Sequence, residues 1–191
     1  MESWYFRNMI EPRQGVLLIA DPFLKDENFM RSVVLLCRHA EEGTFGFVLN
    51  KLYEFSLGDL LSDMEGYEIP VYTGGPVQMD TVHYLHCYPD LIPDSQDVGD
   101  GIYWGGDFEV LKSLIKSGSI DLSGIRFFIG YSGWESGQLD GEMTEKSWLT
   151  VNCTRDLVFD VAHDEIWKEG LRRLGGKYAM MINFPIDPQL N

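Results

Sequence analysis

The sequence predicts an α+β fold with a mixed, mainly antiparallel sheet. Short runs rich in Val, Ile, Leu, Phe and Tyr recur between turn residues along the 191-residue chain. Two of these runs are joined by His39-Ala40-Glu41-Glu42-Gly43, a connection too short to hold a crossover helix. Helical periodicity is confined to isolated segments, without the strict strand and helix alternation of a parallel α/β sheet.

The strand candidates are Val16–Ala20, 32–38, 44–50, Val71–Thr73, 81–87, Ile102–Trp104, 125–131 and 149–153. The second and third are expected to pair as a hairpin around a loop ending in Gly43. Four helices fall between these runs. Ser56 with Asp59 three residues on forms a capping pattern ahead of Leu57, Leu60, Leu61 and Met64, and Gly66 stops it. Asp107 is placed to cap a helix that turns Phe108, Leu111, Leu114 and Ile115 inward and ends at Gly118. Asp164 is expected to open another, with Ile166, Trp167, Leu171 and Leu174 inward and Lys168, Arg172 and Arg173 near the negative end of its dipole. A weaker helix is expected over 138–146, where Gly141 costs about 1 kcal/mol relative to Ala. The Asp-, Pro- and Ser-rich stretch 89–101 reads as loop.

Length and composition limit the function. At roughly 100–200 residues per domain the chain 1–191 reads as a single domain. The 30 acidic and 15 basic residues leave a net charge of −15, a field that repels phosphates. Direct nucleic-acid binding is therefore disfavoured. The opening MESWYFRNMIEPRQ lacks a basic stretch followed by an apolar run, and Val16–Ala20 is too short to cross a bilayer, so the expected address is the cytoplasm with no membrane partner. Cys37, Cys87 and Cys153 are odd in number and widely spaced, and are read as reduced thiols. In that setting the sequon at Asn152-Cys153-Thr154 has no role.

Most chemical motifs fail on inspection. The loop from Gly99 to Gly105 has one residue too many for a dinucleotide fingerprint, and no GK[ST] occurs. In Gly130-Tyr131-Ser132-Gly133-Trp134 the elbow of a serine hydrolase requires Gly where Trp134 stands, so Ser132 reads as a turn hydroxyl. On a strand, His83 and Cys87 share one face and His86 the other, so no convergent metal set forms with Cys37 and His39. Asp94, Asp97 and Asp100 fall at intervals of three, unlike a calcium loop. No metal, cofactor or catalytic residue is assigned.

Two Gly-rich turns remain: Thr73-Gly74-Gly75-Pro76-Val77, and Gly130 through Leu139 with its GYSGWESGQL sequence. Together with the block GVLLIADPFLKDENFMRSVVLLCRHAEEGTFGFVLNK, they closely resemble the YqgE/AlgH family of bacterial proteins. The resemblance runs on through Trp148, the Asp156-Leu157-Val158-Phe159 run and Trp167. Glu135 stands where the family usually has Gly, Asp140 where it has Glu, and the tail from Tyr178 to Asn191 looks specific to this chain. The resemblance implies a bifurcated sheet curled into a pseudo-barrel with flanking helices. It also brings a label of transcriptional regulator, but no catalytic residue or cofactor.

Two function classes follow. The first is a non-enzymatic binding or regulatory module acting on a protein or small-molecule partner, motivated by the missing catalytic constellation. The alternative is a small-molecule-binding protein or enzyme built on the turns, with Gly74, Gly75, Pro76, Gly133, Trp134 and Gln138 as the candidate site. A third, direct DNA binding, keeps the label but runs against the charge. The turns are expected to lie side by side at one end of the sheet, and Gln138, read as exposed, to be dispensable for stability. Ligand and oligomeric state are left open.

Overall fold

A computed structural model describes residues 9–186. Its nine strands are β1 (Val16–Ala20), β2 (Val33–Ala40), β3 (Gly43–Val48), β4 (Val71–Thr73), β5 (Val77–His86), β6 (Gln96–Gly99), β7 (Ile102–Trp104), β8 (Ile125–Glu135) and β9 (Trp148–Asn152). The main path is β6-β7-β5-β8-β3-β2-β1-β9, antiparallel throughout, and β4 joins β8 in parallel.

β8 is where the sheet forks. β5 runs along one of its edges, from His86 opposite Ile125 to Val77 opposite Tyr131. The other edge is shared: β4 pairs with Phe127 to Ile129, and β3 takes over from Ser132 to Glu135. The two branches are stitched by the Val48 N–H, which donates to the Gly74 carbonyl at 2.8 Å. The curl closes where β6 meets the start of β1. There Gln14 Nε2 donates to the Asp97 carbonyl at 2.7 Å, and a Cβ on Gly15 would stand 2.8 Å from the Val98 carbonyl.

Burial explains the continuous apolar runs of β1 and β2. Leu17, Ile19, Val33 and Leu35 point into the barrel, while Leu18, Ala20, Val34 and Leu36 pack under Trp134 and Trp148 on its outside. A strand covered on both faces carries no polar alternation. The hairpin runs tighter than expected, since Ala40 pairs with Gly43 and only Glu41-Glu42 turn. A bulge at Cys37 absorbs the register change.

Helices α1 (Leu57–Leu60), α2 (Phe108–Lys116), α3 (Gln138–Thr144), α4 (Arg155–Phe159), α5 (Ile166–Leu174) and α6 (Gly176–Met180) flank the sheet. Ser56 and Asp59 form the capping box, yet α1 stops at Leu60 rather than running to Met64. The chain folds back so that the Ile69 and Tyr67 carbonyls accept the N–H groups of Leu57 and Gly58, and Leu61 turns extended. Asp107 caps α2 by accepting from Val110 N–H. Glu165, not Asp164, precedes α5, and no side chain caps it. Strand β6 lies inside the stretch read as loop, because Asp97 and Tyr103 pair across the short turn at Asp100-Gly101. Of the tail, the part after 186 lies outside the described residues.

Candidate functional site

The two Gly-rich turns cross in direct backbone contact. Gly74 N–H donates to the Ile129 carbonyl at 2.9 Å, and the Gly74 carbonyl accepts from Ser132 Oγ at 3.0 Å. A Cβ on Gly75 would lie 2.2 Å from the Tyr131 carbonyl and 2.3 Å from Ser132 N, and one on Gly130 would lie 2.5 Å from the Gly75 carbonyl. Both turns therefore need glycine for close approach of backbone to backbone. The buried Ser132 hydroxyl is committed to the crossing, which leaves it no role as a nucleophile.

The six candidate residues separate in space. Gly74 and Gly75 are sealed in the crossing, and Pro76 is exposed beyond it. Gly133, Trp134 and Gln138 all border a cleft of about 710 Å³ at the barrel mouth. The Trp134 indole, however, turns to the outer face: it is 4% exposed, stacks with Phe29 and donates from Nε1 to Glu142 Oε2 at 2.9 Å. Gln138 is held at the rim, where its Oε1 accepts from Glu135 N–H at 3.0 Å and its Nε2 donates to Glu142 Oε1 at 3.2 Å.

Inside the mouth the lining is aromatic. Phe45 and Phe47 alternate onto the inner face of β3, Tyr131 stands on β8, Trp104 on β7 and His83 on β5. Phe45 meets Trp104 at 4.8 Å between ring centroids and Tyr131 at 6.2 Å, with planes inclined by 64° and 79°. Phe47 meets Phe45 at 82°. Room for the cleft comes from Gly133, which faces Phe45 across the β3–β8 pair. A side chain there would press on the Tyr131 ring, 3.3 Å from the Cβ position.

Electrostatics divide the rim from the floor. On the floor, burial lowers the pKa of His83, and its Nε2 is buried without a hydrogen-bond partner. The imidazole is thereby kept neutral near neutral pH. At the rim Arg38 and Glu42 pair at 2.5 Å, and the Glu42 carboxyl is held low by its own backbone N–H and by Arg38. Deeper in the barrel Arg126 donates to the Leu49 carbonyl at 2.7 Å and lies over the Tyr72 ring, so its charge is already placed.

The second imidazole of β5 is engaged in hydrogen bonds. His86 is fully buried, with Nε2 2.9 Å from the Gly105 carbonyl and Nδ1 accepting from Tyr88 N–H. Among the described residues no three His, Cys, Asp or Glu side chains converge as metal ligands. The mouth thus offers ring faces and shape, without a nucleophile paired to a base.

Sequence reasoning missed Phe45, Phe47, Trp104 and Tyr131 as a group. A signal existed in Thr44-Phe45-Gly46-Phe47, where small residues and bulky rings alternate with the period of a strand. Only pairing could show that the small residue of one strand faces the ring of the other.

Residues 17–179 match the family model described as AlgH-like. The chain belongs to the AlgH-like family. It is 44% identical to a UPF0301 protein of Chlorobium limicola over 179 residues, 94% of this chain and 96% of that one. A UPF0301 protein of Cytophaga hutchinsonii is 41% identical over 93% of this chain and 98% of its own length. The solution structure of the AlgH protein from Pseudomonas aeruginosa superposes with a TM-score of 0.72 at 28% identity, covering 90% of this chain and 94% of that one. A crystal structure of a Corynebacterium diphtheriae protein gives a TM-score of 0.75 over 92% and 94% of the two chains, and at 22% identity it shows a shared fold. The α+β architecture with its curled sheet is thus that of AlgH-like proteins.

Proposed function

We propose that this AlgH-like chain is a non-enzymatic binding module, working as one unit, whose barrel mouth takes up a small apolar ligand or a partner's side chain. The aromatic cleft of about 710 Å³ carries this reading, since ligand pockets are typically about 300–1,000 Å³, mostly apolar, and found in the mouths of β-barrels. Gly133 and Gln138 belong to the site as floor and rim, whereas Gly74, Gly75 and Trp134 support it from behind. An enzyme built on the turns is disfavoured because Ser132 and Gln138 are spent on the protein's own hydrogen bonds.

A regulatory role fits this module if it acts through a bound ligand or protein. The net charge of −15 argues against contact with DNA itself. A cytoplasmic setting accords with three free thiols and with the lack, among the described residues, of any helix long and apolar enough to cross a membrane. The test is a fragment screen read by amide and indole NMR shifts. Fragments that bind should move Trp104, Tyr131 and Gly133 together, and binders that consistently shift another face would overturn the assignment.

A further inference from the structure

The mouth has two properties that together specify the charge of its occupant. Its walls are the half-buried rings of Phe45, Trp104 and Tyr131, with Phe45 inclined to Tyr131 by 79° and to Trp104 by 64°. The face of an aromatic ring carries the negative part of its quadrupole and attracts a cation that reaches it. The cations that stand over rings elsewhere, Arg31, Lys112, Arg126 and Lys177, lie over Trp167, Phe108, Tyr72 and Tyr178 and not over these walls.

The rim supplies the second property. Arg38 is neutralised by Glu42 at 2.5 Å, while the Glu135 carboxylate joins none of the ion pairs of the described residues. Glu135 is exposed and borders the same cleft, so one uncompensated negative charge stands at the opening of the aromatic walls. Arg38, the cationic side chain that borders the cleft, is paired with Glu42, and with a net charge of −15 on the chain the field at the opening disfavours an anion.

Building on the proposed binding site, we infer that the mouth is a cage for an alkylated ammonium group, held by the half-buried rings of Phe45, Trp104 and Tyr131 and by the Glu135 carboxylate, with the fully buried Phe47 ring backing them. An ammonium carrying methyl groups presents a diffuse positive charge with an apolar surface, which suits rings better than a strongly hydrated bare ammonium does. Such a group occurs both in small free cations and on a methylated lysine of a protein.

The experiment titrates the full chain with choline and with its neutral isostere, in which tert-butyl replaces trimethylammonium, following the Trp104 indole resonance. Saturable shifts of Trp104 and Tyr131 with choline, at least ten-fold weaker with the isostere, are the expected result. Glu135→Gln should weaken choline about three-fold, and Trp104→Ala, followed at the Tyr131 resonances, about ten-fold. Tyr131→Leu serves in place of Trp104→Ala if that variant does not fold. Equal binding of choline and isostere at the mouth overturns the cation cage while leaving the apolar site intact. Binding of neither overturns the cage, and the fragment screen then decides the site separately. A peptide with one trimethyllysine completes the test: tighter binding than choline assigns the cation to a protein partner, and equal binding to a free small molecule.

Discussion

Trp148 and Glu142 are joined by a hydrogen bond of 2.7 Å, from the indole Nε1–H to carboxylate Oε2. The same oxygen accepts the Trp134 indole at 2.9 Å, so one side chain of α3 satisfies two tryptophans on neighbouring parts of the outer core. Trp134 and Trp148 are 4% and 1% exposed. Glu142→Ala leaves both donors without this acceptor. At about 1–3 kcal/mol for each of the two unsatisfied groups, a loss of roughly 2–6 kcal/mol is expected in urea unfolding. Glu142→Gln retains an acceptor oxygen and should lose less. Equal midpoints for wild type and Glu142→Ala would contradict this account.

Gln138 illustrates how exposure misleads. The residue is exposed, which predicts indifference to substitution, yet its side chain links Glu135 N–H to Glu142. Gln138→Ala is therefore expected to lower stability by about 1 kcal/mol. A change within measurement error in the same assay would restore the simpler expectation.

Gly75 allows no side chain. Its φ is +155°, and a Cβ would fall 2.2 Å from the Tyr131 carbonyl carbon. Gly75→Ala combines backbone strain with displacement of β8, and the expected cost exceeds about 3 kcal/mol, comparable with the severe class of single substitutions. Gly66→Ala is a useful contrast, because its φ is +87° but open space surrounds it. If both variants lose the same stability, crowding is not the reason for Gly75.

The three thiols differ in access. Cys37 and Cys153 are buried, and burial first of all raises their pKa, Cys37 well above the usual range and Cys153 to about 12. Cys87 is partly exposed, with an Arg155 guanidinium nitrogen donating to Sγ at 3.2 Å. A thiol reagent at about pH 8 should modify Cys87 rapidly in the native chain and all three in denaturant. Rapid native reaction of Cys37 would show that β2 opens.

Stability should fall on mild acidification. Burial lowers the pKa of His83, and it does the same for His86, where the hydrogen bond to Gly105 acts in the opposite sense. The unfolded chain, titrating near about 6.5, then takes up protons before the folded one does. The stabilisation is complete above about pH 6.5 and is lost as pH falls toward the folded values. Urea midpoints from about pH 7.5 to 5 should decline, and His83→Leu should remove part of the slope. A flat profile is inconsistent with buried neutral imidazoles.

Local chemistry made much of the fold legible. Val16–Ala20, Val71–Thr73 and Ile102–Trp104 end where turn residues stand, and Ser56 and Asp107 cap the helices they precede. Expectations failed where a distant partner decided the outcome. β6 is a polar segment made into a strand by pairing with β7, and α1 ends where Leu61 turns extended, its first N–H groups held by the carbonyls of Tyr67 and Ile69. The sequence by itself determined the α+β class, the hairpin, the acidic surface and the glycines that let two turns touch. The tertiary structure alone decided that Gly133 faces Phe45, that Trp134 turns away from the cleft, and that Trp104 comes from a distant strand to close it. Capping and strand alternation depend on neighbours a few residues apart, whereas a cleft is made by registers between strands, and no single strand carries that information.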